Sequence, residues 1–298
     1  MTRAPEPGKG GAGEERWEDA LALPPQALAD TTLELHWAAQ IVASAGQTFA
    51  EPRDDDSHRA MIWSPQLDAF VGVGFAGPYP FRLALRPRDL TLMLLDREDG
   101  ALGVFELQGR SRAQAYEWLG VGMATYRGGN LPVIERPEYE MPDHPVGGDA
   151  AFSTRMEAEL SALSALYASG AALLDDLFGP LEDASDVRCW PHHFDVATLI
   201  TVKDAPDAEE ARTVGVGLAP MGGGYGSWYL YVTPWPYPEA NALPDLHSDG
   251  AWHTEGWTGA VLTGARVMAL PRQERAQRIR HFVEEATDAA RTALDESA

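Results

Sequence analysis

Cysteine is nearly missing from this chain: Cys189 stands alone among 298 residues. An intrachain disulfide is therefore excluded, and a reducing, cytoplasmic compartment is the expected setting. Long apolar runs are missing too. None approaches the ~20 residues that a bilayer-spanning helix needs. The opening stretch, 1–15, has no apolar segment of the secretory kind, and its Pro, Gly and charged content predicts a disordered tail. Basic charge is scarce: 23 Lys and Arg face 45 Asp and Glu, a net charge of −22, with no basic block to offset it. Phosphate backbones and anionic lipid would be repelled, so neither nucleic acid nor a membrane is an expected partner. What remains, 45% hydrophobic and 23% charged residues, is ordinary for a globular protein of one large or two ordinary domains.

Four stretches carry helical spacing. Thr31 and Glu34 make a capping-box pattern ahead of Leu33, Trp37, Ile41 and Val42. Ala115, Trp118, Leu119 and Met123 share a face within 111–126. Thr154 and Glu157 pattern a second box before Leu160, Leu163, Tyr167 and Leu174, and Gly179-Pro180 ends that helix. Ile279, Phe282, Val283, Ala286 and Leu294 line one side of 272–295. Short apolar runs at 81–85, 90–95, 102–107, 194–202, 213–218, 227–232 and 259–262 read as strands, with a hairpin turn at 96–100. Runs of strands between helices predict an α+β fold, mainly antiparallel, with the helix at 154–178 packed on the sheet that contains 194–202.

The order helix, strands, helix occurs twice. Trp63-Ser64-Pro65-Gln66-Leu67-Asp68 and Trp190-Pro191-His192-His193-Phe194-Asp195 follow a helix in each half, and Arg-Ala-Gln opens a later helix in both. Two halves, 16–130 and 153–298, are expected, related either by duplication or only by chance matches of short runs, and joined by a Pro-rich connection over 131–152 that carries one short strand near 131–135.

Aromatic and imidazole side chains concentrate in the second half. Residues 189–260 hold five of nine tryptophans and four of eight histidines. If 190–196 and 252–257 are extended, His193 shares a face with Asp195, and His253 with Glu255. Converging, these four would supply two imidazoles and two carboxylates. Such a set could bind a divalent metal through His193 and His253, or act without metal as general acid and base. Trp190, Trp228, Tyr231, Trp235 and Trp257 would wall a pocket for a small molecule. The competing reading is that the polar groups are satisfied at strand ends and the aromatics are packing. Met221–Gly226 reads as a hairpin loop able to act as a lid, since it lacks the Lys-Ser/Thr of a phosphate-binding loop.

Leu35-His36-Trp37-Ala38-Ala39-Gln40-Ile41-Val42, Phe194-Asp195-Val196-Ala197, and Gly222-Gly223-Gly224 leading into Trp228-Tyr229-Leu230-Tyr231 together resemble a bacterial family known only as a domain of unknown function. The resemblance spans most of 30–295 and implies one bacterial α+β unit, with no activity to carry over. Two function classes follow from the residues. One is small-molecule binding or an enzyme activity in the second half. The other is a non-catalytic interaction protein that uses the aromatic strand 227–237 as a dimer or partner interface. Oligomeric state is open.

Overall fold

The computed structural model describes residues 17–75, 77, 80–205 and 210–296, so the tail expected over 1–15 lies outside the described residues. Helices α1 (Ala29–Phe49), α2 (Arg112–Arg127), α3 (Glu157–Phe178), α4 (Gly264–Ala269) and α5 (Arg275–Glu296) accompany a single 11-stranded sheet. Its strands are β1 (Met61–Ser64), β2 (Ala69–Gly72), β3 (Arg82–Arg86), β4 (Thr91–Leu95), β5 (Ala101–Glu106), β6 (Arg188–Trp190), β7 (Asp195–Lys203), β8 (Arg212–Ala219), β9 (Tyr229–Trp235), β10 (Ala251–His253) and β11 (Gly259–Thr263). They lie in the order β10-β11-β9-β8-β7-β6-β1-β2-β3-β4-β5, and every neighbouring pair is antiparallel. The fold is α+β.

Helices cover one face. Alternate strand residues such as Leu83, Leu85, Leu92, Ile200, Val216 and Leu230 join buried side chains of α1, α2, α3 and α5 in one core. Leu160, Leu163, Tyr167 and Leu174 put α3 on β7 and β8, each burial contributing about 1.5–3 kcal/mol. On the other face the apolar contacts are small: Ala69, Val71, Ala84, Met93 and Leu95 form one cluster, Ala219, Tyr229 and Val261 another. Among the described residues no helix is long and apolar enough to cross a membrane.

Three local expectations change. The helix starts differ from the two patterned boxes, because the capping side chains are drawn elsewhere. α1 begins ahead of Thr31, whose hydroxyl donates to Met156 Sδ, and Glu34 accepts from the Ser153 amide. α3 begins after Met156 with no side-chain cap. Ser111 and Gln114 instead form a complete capping box on α2. No strand forms at 131–135. Residues 128–144 contain no helix or strand, and the Glu135 amide is satisfied by Thr48 Oγ1 on α1 at 2.9 Å.

The two stretches 29–127 and 157–296 both run helix, strands, helix, and they meet at the sheet centre through one pair, Met61↔Cys189. The matching hairpin turns are Pro65–Asp68, closed by Ser64↔Ala69, and Pro191–Phe194, closed by Trp190↔Asp195. Asp68 (φ 51°) and Phe194 (φ 57°) both end their turns in the left-handed region. Ser64, rather than Trp63, thus corresponds to Trp190.

Candidate functional site

The extended geometry that would pair each histidine with a carboxylate is absent. Residues 191–194 are a turn, so His193 lies exposed on its rim while Asp195 is buried at the first position of β7. β10 stops at His253, and a turn with Gly256 at φ 83° follows. Between β7 and β10 lie β8, β9 and β11. Four inter-strand steps of ~4.8 Å put the two segments roughly 19 Å apart across the sheet. The structure does not bring His193 and His253 together. Both ring nitrogens of His253 are also engaged, Nδ1 with the Tyr225 hydroxyl at 3.1 Å and Nε2 with the Glu255 backbone oxygen at 2.8 Å. The Glu255 carboxylate is exposed and takes no part. Neither the shared metal site nor the four-residue acid–base set is assembled.

Asp195 has a different partner. Tyr231 lies across β8 over Gly217, where a Cβ would meet the ring at 2.6 Å, and its hydroxyl donates to Asp195 Oδ2. Burial pushes both the Asp195 carboxyl and the Tyr231 phenol up. Oδ1 of Asp195 is buried without a partner among the described residues. Asp195 is buried and Tyr231 half-buried over it, and the direct bond between them favours a structural role over substrate chemistry.

The aromatics divide as well. Trp228 is fully buried against Gly264. Trp257 packs at a tilt against His253 (centroids 4.5 Å, 34°) and donates to Gly223 O at 3.1 Å, which fastens the tip of the glycine hairpin. Trp235 and Tyr237 pack edge to face at 5.1 Å and remain 40% and 46% exposed. Trp190 alone of the five predicted wall tryptophans and tyrosine lines one of the better-formed cavities, beside His192.

Two spaces lie on either side of the Met61↔Cys189 pair, where β1 and β6 diverge. On one side α1 grips the second turn: His36 Nε2 and Gln40 Nε2 both reach the Pro191 carbonyl, at 2.8 and 2.7 Å. The His36 ring stacks on Phe194 at 5.2 Å and 8°. Burial lowers the His36 pKa to about 4, with a smaller push from His193 and His192, so the ring is neutral near pH 7. Into this side runs the chain's own connecting segment. The Tyr139 hydroxyl donates to Gln40 Oε1, the Trp37 indole donates to Pro142 O at 3.1 Å, and the Tyr139 ring lies 6.0 Å from His192.

On the other side no segment of the described residues enters in this way. A cleft of about 650 Å³ separates Ile62, Trp63 and Pro65 from Ala184–Val187, with Ala168, Ala171 and Ala172 of α3 as its floor and Asp175 and Asp186 on its walls. β1 keeps β2 as partner over all four of its residues but meets β6 at Met61 alone. The Trp63 indole lines the cleft, and its buried N–H has no acceptor among the described residues. Sequence reading missed this site. Its visible signals were the twin Pro-led turns and the alanine-rich face of α3.

Asp30, Glu34 and His144 bring ligand atoms within 4.8 Å of one another. The Val146 amide donates to His144 Nδ1 at 3.3 Å, which leaves the neutral ring's proton on Nε2, the atom facing Asp30. Glu34, pushed up by burial, spends Oε2 on Ser153. The arrangement favours a hydrogen-bonded cluster over a metal centre. No family model, no curated protein and no solved structure matches the chain.

Proposed function

We propose that this protein is a non-catalytic recognition module that seats an extended segment of another protein in the cleft between β1 and 184–187. One observation carries the reading: the corresponding side, on α1, already holds an irregular segment, the chain's own 135–142, through Glu135, Tyr139 and Pro142. The cleft beside β1, which none of the described segments fills, has the same design of proline-led turn, diverging strands and helix floor. Its helix floor carries the small Ala168 and Ala172, whereas on α1 the larger Gln40 and Ser44 face the chain's own segment. An aromatic or aliphatic side chain would fill the alanine floor, backbone groups would meet the uncovered edge of β1, and basic flanking residues would face Asp175 and Asp186.

The test is selection from a displayed peptide library on the intact chain, with counter-selection on Ala172→Trp. Ala172 is exposed on α3, so the new indole blocks the cleft without entering the core. Peptides that carry an aromatic and basic residues and lose binding to the variant are expected. A library in which no binder depends on Ala172 would overturn the reading. The exposed Trp235–Tyr237 pair favours a second reading, a self-association surface at the end of β9. Sedimentation of Trp235→Ala against the parent chain decides it.

A further inference from the structure

A second cavity, about 450 Å³, lies between α1, α2 and the connecting segment, away from the open cleft. Its chemistry runs against the rest of the molecule. In a chain of net charge −22, two guanidinium groups, Arg112 and Arg136, line this space. Arg112 is 7% exposed and fixed on three sides. Its Nε donates to Val146 O at 2.9 Å, its Nη2 to Gly147 O, and its guanidinium lies 4.3 Å over the Trp37 ring. Arg136 lies 4.9 Å over the Tyr116 ring.

Among the described residues neither arginine has a carboxylate at ion-pair distance. Asp149 acts on Arg112 only from a distance, and its Oδ1 accepts from the Ala113 amide at 2.9 Å. Asp143 and His144 also line the cavity, Asp143 as an exposed residue.

Two like charges held beside one phenol repel each other, and burial makes the Arg112 charge costlier without a counter-ion, whereas Arg136 is exposed. Burial, with the Arg136 charge added, accordingly holds the Arg112 pKa below the usual guanidinium range. The neighbouring polar groups are already committed. Tyr116 and Ser44 share a hydrogen bond at 3.1 Å, Ser44 donates to Gln40 O at 2.7 Å, and Gln40 accepts from Tyr139. What else faces the space is cationic: Arg112, whose guanidinium also shares a side-chain hydrogen bond with Tyr116, and the Arg136 guanidinium. Planar donors of this kind, one locked and one on a mobile stem, match an oxyanion. The volume suits a small molecule.

We infer that this cavity binds the carboxylate or phosphate of a small molecule between Arg112 and Arg136. The site is independent of the peptide cleft.

The test uses the intact chain, thermal melting and titration calorimetry, with inorganic phosphate, phenyl phosphate and benzoate as probes. Ionic strength is held constant with sodium chloride. The parent chain is expected to bind at least one probe saturably, and Arg136→Gln, at an exposed position, to bind it about 10- to 100-fold more weakly. Phosphate binding without benzoate binding assigns a phosphate ligand, and the reverse a carboxylate. Arg136→Lys, which keeps charge but not the fork, is expected to fall between. No saturable binding beyond the chloride control would overturn the inference, as would an Arg136→Gln variant that binds as the parent does.

Discussion

Two turns of the same backbone shape sit at the centre of the sheet, and they are treated in opposite ways. Pro191–Phe194 is held by His36, Gln40 and the Tyr167 hydroxyl, which donates to Phe194 O at 2.9 Å. The ring of Phe194 is fully buried among His36, Phe70 and Tyr167. At the matching position Asp68 lies near the surface, within 3.4 Å of Ser164 Oγ and 3.8 Å of Arg88. The difference shows one scaffold serving two ends. Polar side chains of α1 close one cleft around the chain's own segment, and the alanines of α3 leave the other clear.

The comparison breaks most sharply at its two turn-ending residues. Phe194→Ala is expected to cost about 3–5 kcal/mol in urea unfolding, whereas Asp68→Ala stays within about 1 kcal/mol. Equal losses would mean that both turns are structural.

Gln40→Ala should come next. It strips a buried amide that serves His36 O, Pro191 O and Tyr139, for about 1–3 kcal/mol. It should also speed proteolysis within 131–143, because the segment loses its anchor. Unchanged cleavage would show that Tyr139 is held by other contacts.

The pH dependence sharpens the same contrast, since the closed turn alone carries a buried imidazole. His36 has a folded pKa of about 4, below the unfolded value of ~6.5. The unfolded chain therefore gains a proton first, and this contribution to stability is lost as pH falls from ~6.5 towards 4, then stays flat. Roughly 1–3 kcal/mol is expected across that window. Asp195 and Glu34, whose carboxyls burial pushes up, work in the opposite sense. The measurement is thus the difference between the parent chain and His36→Gln, which should remove the His36 share of the slope.

The smallest effect lies on the outer cluster at the start of α1. Asp30 is largely exposed where it meets His144, so Asp30→Ala should change stability by less than about 0.5 kcal/mol, and a chelator should leave the melting temperature unmoved. A chelator-induced drop would reinstate a metal there.

Four of the five helices could be read in advance because their apolar spacing is long: Leu160, Leu163, Tyr167 and Leu174 repeat over 22 residues of α3, whereas α4, six residues long, left no such pattern. β1, β2, β6 and β10 could not, being three or four residues each, too short for alternation to register. The histidine site failed for a local reason. Phe194 takes a left-handed conformation that a large aromatic seldom adopts, so a turn looked like a strand and the assumed faces were wrong. His36 and Gln40 stood out in the sequence without a role, because the carbonyl they grip is 155 and 151 residues away. The open cleft depends on where two distant strands cease to pair, which no local pattern encodes.

An antiparallel sheet of this width leaves two raw edges, and they are not equally dangerous. β10 offers three residues, too few to template a foreign strand. β5 offers six, with Val104 54% exposed. Tyr126 reaches over from α2 and donates to the Leu102 carbonyl at 2.7 Å, taking one of the acceptors an incoming strand would need. Mutual repulsion between heavily acidic copies guards the rest, and that protection weakens as salt shortens its range. Colloidal behaviour in concentrated salt thus hangs partly on a single phenol, and Tyr126→Phe is where fibrous or edge-on assembly would begin.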